Sequence, residues 1–258
     1  CVLLLGAARA RADAERSVRA GGALVVAAGL VAGVAILVRP GMLFYLPIVA
    51  AWFVLRRRWS LALAFCISAA VVVAPWTLRN VREYDRFVLV ATEGGVTFWT
   101  GNHPLATGEG DLAANPTIKA DEIAFRQSHP DLTAAELEPL YYRAAFSQIA
   151  DHPGWWLLLL AKKLFYTFVP VGPSYTLHST KYLLASVVPY VLLAPVAVIG
   201  LSRLTRRGSG ATPLLLLALS VVVTSLVFFP QERFRIPVID PTIIVCASAV
   251  LAGVRRKP

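Results

Sequence analysis

GWWLLLLAKKLFYTFVP, Gly154 to Pro170, is the stretch on which the architecture turns. It is apolar enough to enter a bilayer, yet Lys162 and Lys163 sit at its centre. A charge at the middle of a membrane span costs about 2.5 to 3.5 kcal/mol on insertion scales. The lysine pair therefore predicts a helix lying in the membrane interface rather than crossing, with Trp155 and Trp156 at the headgroup level where aromatic rings collect. Whether this segment crosses decides on which side everything after it lies.

The rest of the chain belongs in a bilayer. Hydrophobic residues make up 57% and charged residues 16%, and the mean hydropathy is +0.64, well outside the range of an ordinary soluble domain. The formal charge of +10 would raise the idea of nucleic acid only if basic residues gathered on a soluble face. They do not, and a nucleic-acid partner is not expected. Cys1, Cys66 and Cys246 give no disulfide framework, and the latter two fall in apolar runs where a thiol behaves as a small hydrophobe. The opening CVLLLGAARA lacks the basic start of a signal peptide and reads as the tail of a span.

About 20 apolar residues cross the hydrocarbon core. The spans expected on that rule are Gly21 to Val38, Met42 to Leu55, Leu61 to Leu78, Tyr182 to Leu201, Pro213 to Phe229 and Pro237 to Val254. Arg39-Pro40-Gly41 makes a corner that turns the first two into a helical hairpin, the second arm being short. Charge then sorts the ends. Arg9, Arg11, Arg16, Arg19, Arg56 to Arg58, Arg203, Arg206, Arg207, Arg255, Arg256 and Lys257 fall on one side, against Asp13 and Glu15 alone. By the positive-inside rule that side is cytoplasmic. The partition holds only if residues 154–170 do not cross.

Residues 79–153 then lie outside the cytoplasm, too long for a simple connection. Asn115-Pro116 reads as an N-cap and first-turn pair opening a helix to about Ser128. Thr133 and Glu136 form a capping box, and Leu137, Leu140, Tyr141, Ala144, Ala145 and Ile149 recur at helical spacing behind it. The expectation is an all-α polytopic membrane protein with about six transmembrane helices, an interfacial helix at 154–170 and a small external, periplasmic or extracellular, helical subdomain at 79–153. Spans at 1–78 and 171–258 flank it.

Within the external loop TEGGVTFWTGNHPLATGEGD, Thr92 to Asp111, holds five glycines and three acids. The alternation in RFVLVAT predicts a short strand at Phe87 to Ala91, turning through Gly94-Gly95 into VTFWTGN as a β-hairpin. Two readings stay open. In one the hairpin only packs Phe98 and Trp99 on the cap; in the other Glu93, Asn102 and His103 face a ligand while the glycines admit it to backbone N–H groups. No Gly-Lys-Ser/Thr makes this a phosphate loop. His103 has no second imidazole at ligand spacing, so no metal site is expected.

Four stretches in order, APWTLRN (74–80), TEGGVTFWTGNHP with ATGEGD, DHPGWWLLLLAKKLFYTFVP, and ERFRIPVIDPTIIVCASAVL, resemble bacterial membrane glycosyltransferases of the GT-C class. The likeness is to the dolichyl-phosphate-mannose–protein mannosyltransferase family, family 39, and its aminoarabinose-transferase relatives, and it extends from about Arg39 to Gly253. The resemblance implies an enzyme of the bacterial plasma (inner) membrane and cell envelope. Such an enzyme takes a sugar from a polyprenyl-phosphate donor on the external face and passes it to a lipid, glycan or protein acceptor, with no cofactor. Members carry catalytic acids in the first external loop, whereas the first external acid here is Glu83. The catalytic acid is therefore expected upstream of this chain, and no catalytic residue is assigned in it.

A polyprenyl-phosphate leaving group needs a cation where its phosphate sits, and a guanidinium can grip phosphate bidentately. Arg233 and Arg235 in QERFRIP, the external link between the last two spans, are the candidates, with Arg79 and the Lys162-Lys163 pair as further ones. Asp240 before Pro241 is expected to be an N-cap. The substrate-binding set is thus Arg233, Arg235, Arg79, Glu93, Asn102 and His103, with membrane lipids as the surroundings. The alternative is a non-catalytic flippase, ligase-like or transporter component that binds lipid-linked glycan.

Overall fold

A computed structural model describes residues 15–110, 115–169, 180–206, 210–231 and 235–254. Arg9, Arg11, Asp111, Arg207, Glu232, Arg233 and the cluster 255–257 lie outside the described residues. Helix is the only regular secondary structure among the described residues, with no strand. The helices are α1 (Glu15–Val38), α2 (Tyr45–Leu55, entered by a 3-10 turn at Pro40–Phe44), α3 (Trp59–Tyr84), α4 (Gly94–Gly101), α5 (Pro116–Gln127) and α6 (Ala134–Asp151). They continue with α7 (Pro153–Phe168), α8 (Thr180–Arg206), α9 (Thr212–Val227) and α10 (Ile239–Val254).

Three segments among the described residues are long and apolar enough to cross a membrane: Gly21–Val38, Trp59–Tyr84 and Val187–Thr205. Pro40–Leu55, Thr212–Val227 and Ile239–Val250 are shorter apolar helices. The chain forms two compact units, the first of residues 1–90, 193–221 and 238–258, the second of 91–192 and 222–237.

The first unit is organised by α1 against α3. Val25, Ala28, Ala32 and Ile36 are buried at three- and four-residue spacing, and between them Gly29 and Gly33 bring the backbones together. A Cβ at Gly29 would lie 2.5 Å from the Phe65 carbonyl oxygen, and one at Gly33 2.7 Å from that of Ala69. Small residues four apart are how helices approach in lipid, where no hydrophobic drive separates helix from hydrocarbon. Tyr45, Val49 and Phe53 of α2 join Ala62 and Phe65 in the same core. Outward faces stay apolar, with Leu30, Val34, Leu63, Ile67 and Val71 exposed. A second contact pairs α8 with α10 through Ala197, Cys246 and Ala247, Gly200 lying against the Cys246 carbonyl.

Helix α3 runs past the expected end at Leu78, continuing through Pro75 to Tyr84. Its last turns correct the expected strand. The Val88, Leu89 and Val90 carbonyls accept hydrogen bonds from side chains: Asn80 to Val88 (3.2 Å) and Val90 (3.1 Å), Thr77 to Leu89 (2.8 Å) and Trp76 to Val90 (2.9 Å). Side-chain donors replace the partner strand, so Phe87 to Ala91 needs no sheet. For the same reason residues 79–90 belong with the first unit.

In the second unit VTFWTGN is the helix α4, not the second arm of a hairpin. Phe98 and Trp99 pack with Ile118 of α5 and Leu137, Tyr141 and Ala145 of α6. The capping box of α6 forms as expected, the Thr133 amide donating to the Glu136 carboxylate at 2.9 Å. Asn115 stands at the N-cap position of α5, but its side chain donates to the Leu105 carbonyl instead (2.9 Å). Asp240 is the second residue of α10 rather than its N-cap.

Candidate functional site

On α7 the residues Leu159, Lys163 and Thr167 are buried at four-residue spacing, and Leu157, Leu158, Lys162, Leu164 and Phe165 are exposed. The helix is inverted: its lone buried charge faces protein and its apolar side faces out. Lys163 is fully buried, and its Nζ donates to Asn102 Oδ1 at 3.0 Å and to the Leu226 carbonyl at 3.1 Å. Burial pushes its ammonium down to about 7, because the charged form loses water and gains no opposite charge.

Asn102 is the hub. Its Nδ2 donates to the Phe98 carbonyl at 2.8 Å and the Val227 carbonyl at 3.1 Å. Its Oδ1 accepts from Lys163 and from Trp156 Nε1 at 3.2 Å. Both amide hydrogens and both oxygen lone pairs are thereby used within the protein. One side chain ties α4, α7 and the C-terminal end of α9.

The glycines of 92–111 serve this closeness. A Cβ on Gly95 would meet the Glu138 carbonyl at 2.5 Å, where the Glu138 carboxylate caps α4 by accepting from the Gly95 amide (3.3 Å). Gly101 lies against the Phe228 carbonyl, and Gly110 against Phe229 and the Pro230 carbonyl. Gly108, at φ +93°, packs on Lys162, where a Cβ would be both strained and crowded. The glycines admit other parts of the chain to this backbone.

His103 is buried beside Asn102, its ring edge-on to Trp99 at 4.7 Å. Nδ1 accepts from the Leu105 amide at 3.2 Å, which leaves the proton on Nε2, 3.4 Å from the Asp121 carboxylate. Burial lowers the imidazole's pKa, and Asp121 opposes that shift. Neither nitrogen is open to take a proton from a substrate. On α5, Glu122 is buried between Lys119 (2.6 Å) and Arg126 (2.7 Å), with the Tyr141 hydroxyl at 3.3 Å. Burial raises its carboxyl pKa, but the two hydrogen-bonded cations outweigh it and the net direction is down.

No family model, curated protein or solved structure matches the chain. Arg235 is buried, its guanidinium 5.2 Å from the centre of the Tyr190 ring, and its amide donates to the Gln231 carbonyl at 3.1 Å. Glu93 is exposed at the start of α4, its carbonyl accepting from the Thr97 hydroxyl. Arg79 belongs to the first unit, exposed on the Trp76 ring at 5.3 Å and donating to Asn80 Oδ1. Arg233 lies outside the described residues. Among the described residues no group of three His, Cys, Asp or Glu side chains gathers to ligate a metal.

The structure thus brings Asn102 and His103 side by side, joins Lys163 to Asn102, and gives Arg235 an aromatic neighbour. Sequence reasoning takes the Lys162-Lys163 pair as one charged unit, whereas the structure buries Lys163 and exposes Lys162. The signal was there: Trp156, Lys163 and Thr167 fall on one stripe of an otherwise apolar helix, and Lys162 does not.

Proposed function

We propose that the chain is a membrane glycosyltransferase portion of the GT-C class. It would have six spans, α7 in the interface, and the α4 to α6 region external and resting on the membrane, with the basic ends cytoplasmic in a bacterial plasma membrane. Its donor is a polyprenyl-phosphate sugar and its acceptor a lipid, glycan or protein. One observation supports this reading above the rest. The separate stretches 92–111, 154–170 and the exit of α9 into Gln231, which carry or adjoin the family resemblance, converge on Asn102.

In this reading Arg235 and Arg233 hold the donor phosphate, placing positive charge where negative charge develops as the glycosidic bond breaks. Asn102 and Lys163 build the site rather than touch the sugar, since their hydrogen bonds go to each other and to backbone. The general base that activates the acceptor hydroxyl is assigned to a part of the enzyme outside this chain.

The test is retention of tritiated polyprenyl monophosphate by the protein in liposomes, with the neutral polyprenol as control. Retention of the phosphate alone is expected; equal retention of both lipids overturns the reading. In the intact enzyme Arg233→Ala and Arg235→Ala should each cost about 2 to 4 kcal/mol of transition-state stabilisation, as for one preorganised charge donor. Phosphate binding with no glycosyl product in the intact protein would favour the flippase or transporter alternative.

A further inference from the structure

A helix ends with carbonyls that have no partner inside it and that carry partial negative charge. At the end of α9 two of them are served from elsewhere in the chain. Lys163 Nζ donates to Leu226 and Asn102 Nδ2 to Val227, at 3.1 Å each. Immediately beyond, Phe228 and Phe229 lie against Gly101 and Gly110, and the Phe228 ring is edge-on to Phe98 at 6.4 Å. Pro230 is buried, and the Gln231 carbonyl accepts from the amide of Arg235 at 3.1 Å. Described contacts thus lead from the Lys163–Asn102 pair to Gln231, whose carbonyl accepts from the amide of the buried Arg235.

We propose that Lys163 and Asn102 are positioning residues: as a cap supplied in trans from α7 and α4, they fix the exit of α9 and so hold Arg235 in place for an anionic ligand. The identity of that ligand as a polyprenyl phosphate rests on the function proposed above; the clamp itself does not. The groups facing Lys163 are few. Asn102 and Trp156 are neutral, Lys162 beside it is exposed, and Glu109 follows the Gly108 that packs on Lys162 and the Lys163 amide. His103, next to Asn102, is paired with Asp121. The ion pairs among described residues do not include Lys163.

The direction of the pH effect follows. With the clamp closed the ammonium titrates near 7, and once released to water it returns toward the ordinary lysine value of 10.5. Between those values only the released form holds the extra proton, so falling pH favours release. Rising pH closes the clamp, the neutral amine keeping two N–H donors for its two acceptors.

A nitroxide on Gln231→Cys, with Cys1→Ser, Cys66→Ser and Cys246→Ala, reads the clamp in liposomes without any ligand. The label should be largely immobilised. Asn102→Ala should raise its mobile fraction about tenfold, as for loss of several buried hydrogen bonds, and weaken polyprenyl monophosphate retention in parallel with Arg235→Ala. In the unaltered clamp the mobile fraction should climb as pH falls from about 10 to about 7, and Lys163→Met should flatten that profile. Should Asn102→Ala fail to fold, the pH comparison between the native lysine and Lys163→Met decides alone. Unchanged mobility in Asn102→Ala, or one shared pH profile for lysine and methionine, overturns the clamp. A mobile label with phosphate retention intact overturns the positioning role. Failure of the native protein to retain phosphate counts against the proposed function, with the label still reporting on the clamp.

Discussion

Glycine does the same mechanical job in both units but in opposite chemical company. In the first, Gly29 and Gly33 press α1 onto the backbone of α3 at Phe65 and Ala69, and the neighbours are Val25, Ala28, Ala32 and Ile36. Ser68, the buried polar side chain nearest that seam, bonds back to Ala64 within its own helix. In the second unit Gly95, Gly101, Gly108 and Gly110 also admit close backbone, yet that unit buries polar side chains: Asn102, Lys163, Glu122 and His103. A helix pair whose backbone is already satisfied needs only closeness. A unit built from short helices and irregular segments must also find partners for its loose N–H and C=O groups, and buried side chains supply them.

The sharpest way to break this contrast is Asn102→Ala. Removing a hub that serves Lys163, Trp156, Phe98 and Val227 should cost about 3 to 5 kcal/mol, since a buried cation and several backbone groups lose partners at once. Thermal unfolding in detergent, followed by near-ultraviolet circular dichroism, measures it, and a loss under about 1 kcal/mol would mean that the network is dispensable.

Gly33→Val tests the other side. The added branch would press on the Ala69 carbonyl and Val72, and overpacking of this kind costs about 1 to 3 kcal/mol. It should do so with no pH dependence, because the residues a Cβ at Gly33 would meet, Ala69 and Val72, do not titrate. Equal unfolding temperatures for native and variant protein would show that α1 and α3 do not need to touch so closely.

Thr133→Ala sharpens the comparison at its small end. It removes a capping box whose hydrogen bonds are local and exposed, so the expected loss is about 1 kcal/mol. Hydrogen exchange should localise the effect to the first turn of α6 with α7 unchanged. Spread of the effect to Lys163 would show that the hub is coupled to the cap.

These three positions differ in how visible they were beforehand. Thr133 and Glu136 declared a helix start by their spacing alone, and the structure has it there. The apolar runs declared α1, α3 and α8. The alternation of Phe87 to Ala91 pointed to a strand, but Trp76, Thr77 and Asn80 occupy the carbonyls a neighbouring strand would need. Periodicity reports which faces of a segment are apolar, not who takes its hydrogen bonds.

Asn102 shows the limit most clearly. Sequence marked it as a polar residue in a glycine-rich stretch and so as a candidate for ligand contact, whereas its side chain is consumed by groups 4, 54, 61 and 125 residues away. Lys163 shows the same limit in energetic form: the insertion cost assigned to it assumed lipid around the charge, and protein surrounds it instead.

What the sequence by itself determined is the set of apolar helices, the caps that start some of them, and the division between lipid-like and polar stretches, because these depend on neighbours within one or two turns. Only the tertiary structure decided which buried polar groups meet, which glycines face which backbone, and that α7 turns Lys163 inward and Lys162 outward. Those outcomes depend on contacts across long separations, where a single hydrogen bond at 3 Å selects among partners that composition and spacing leave equivalent.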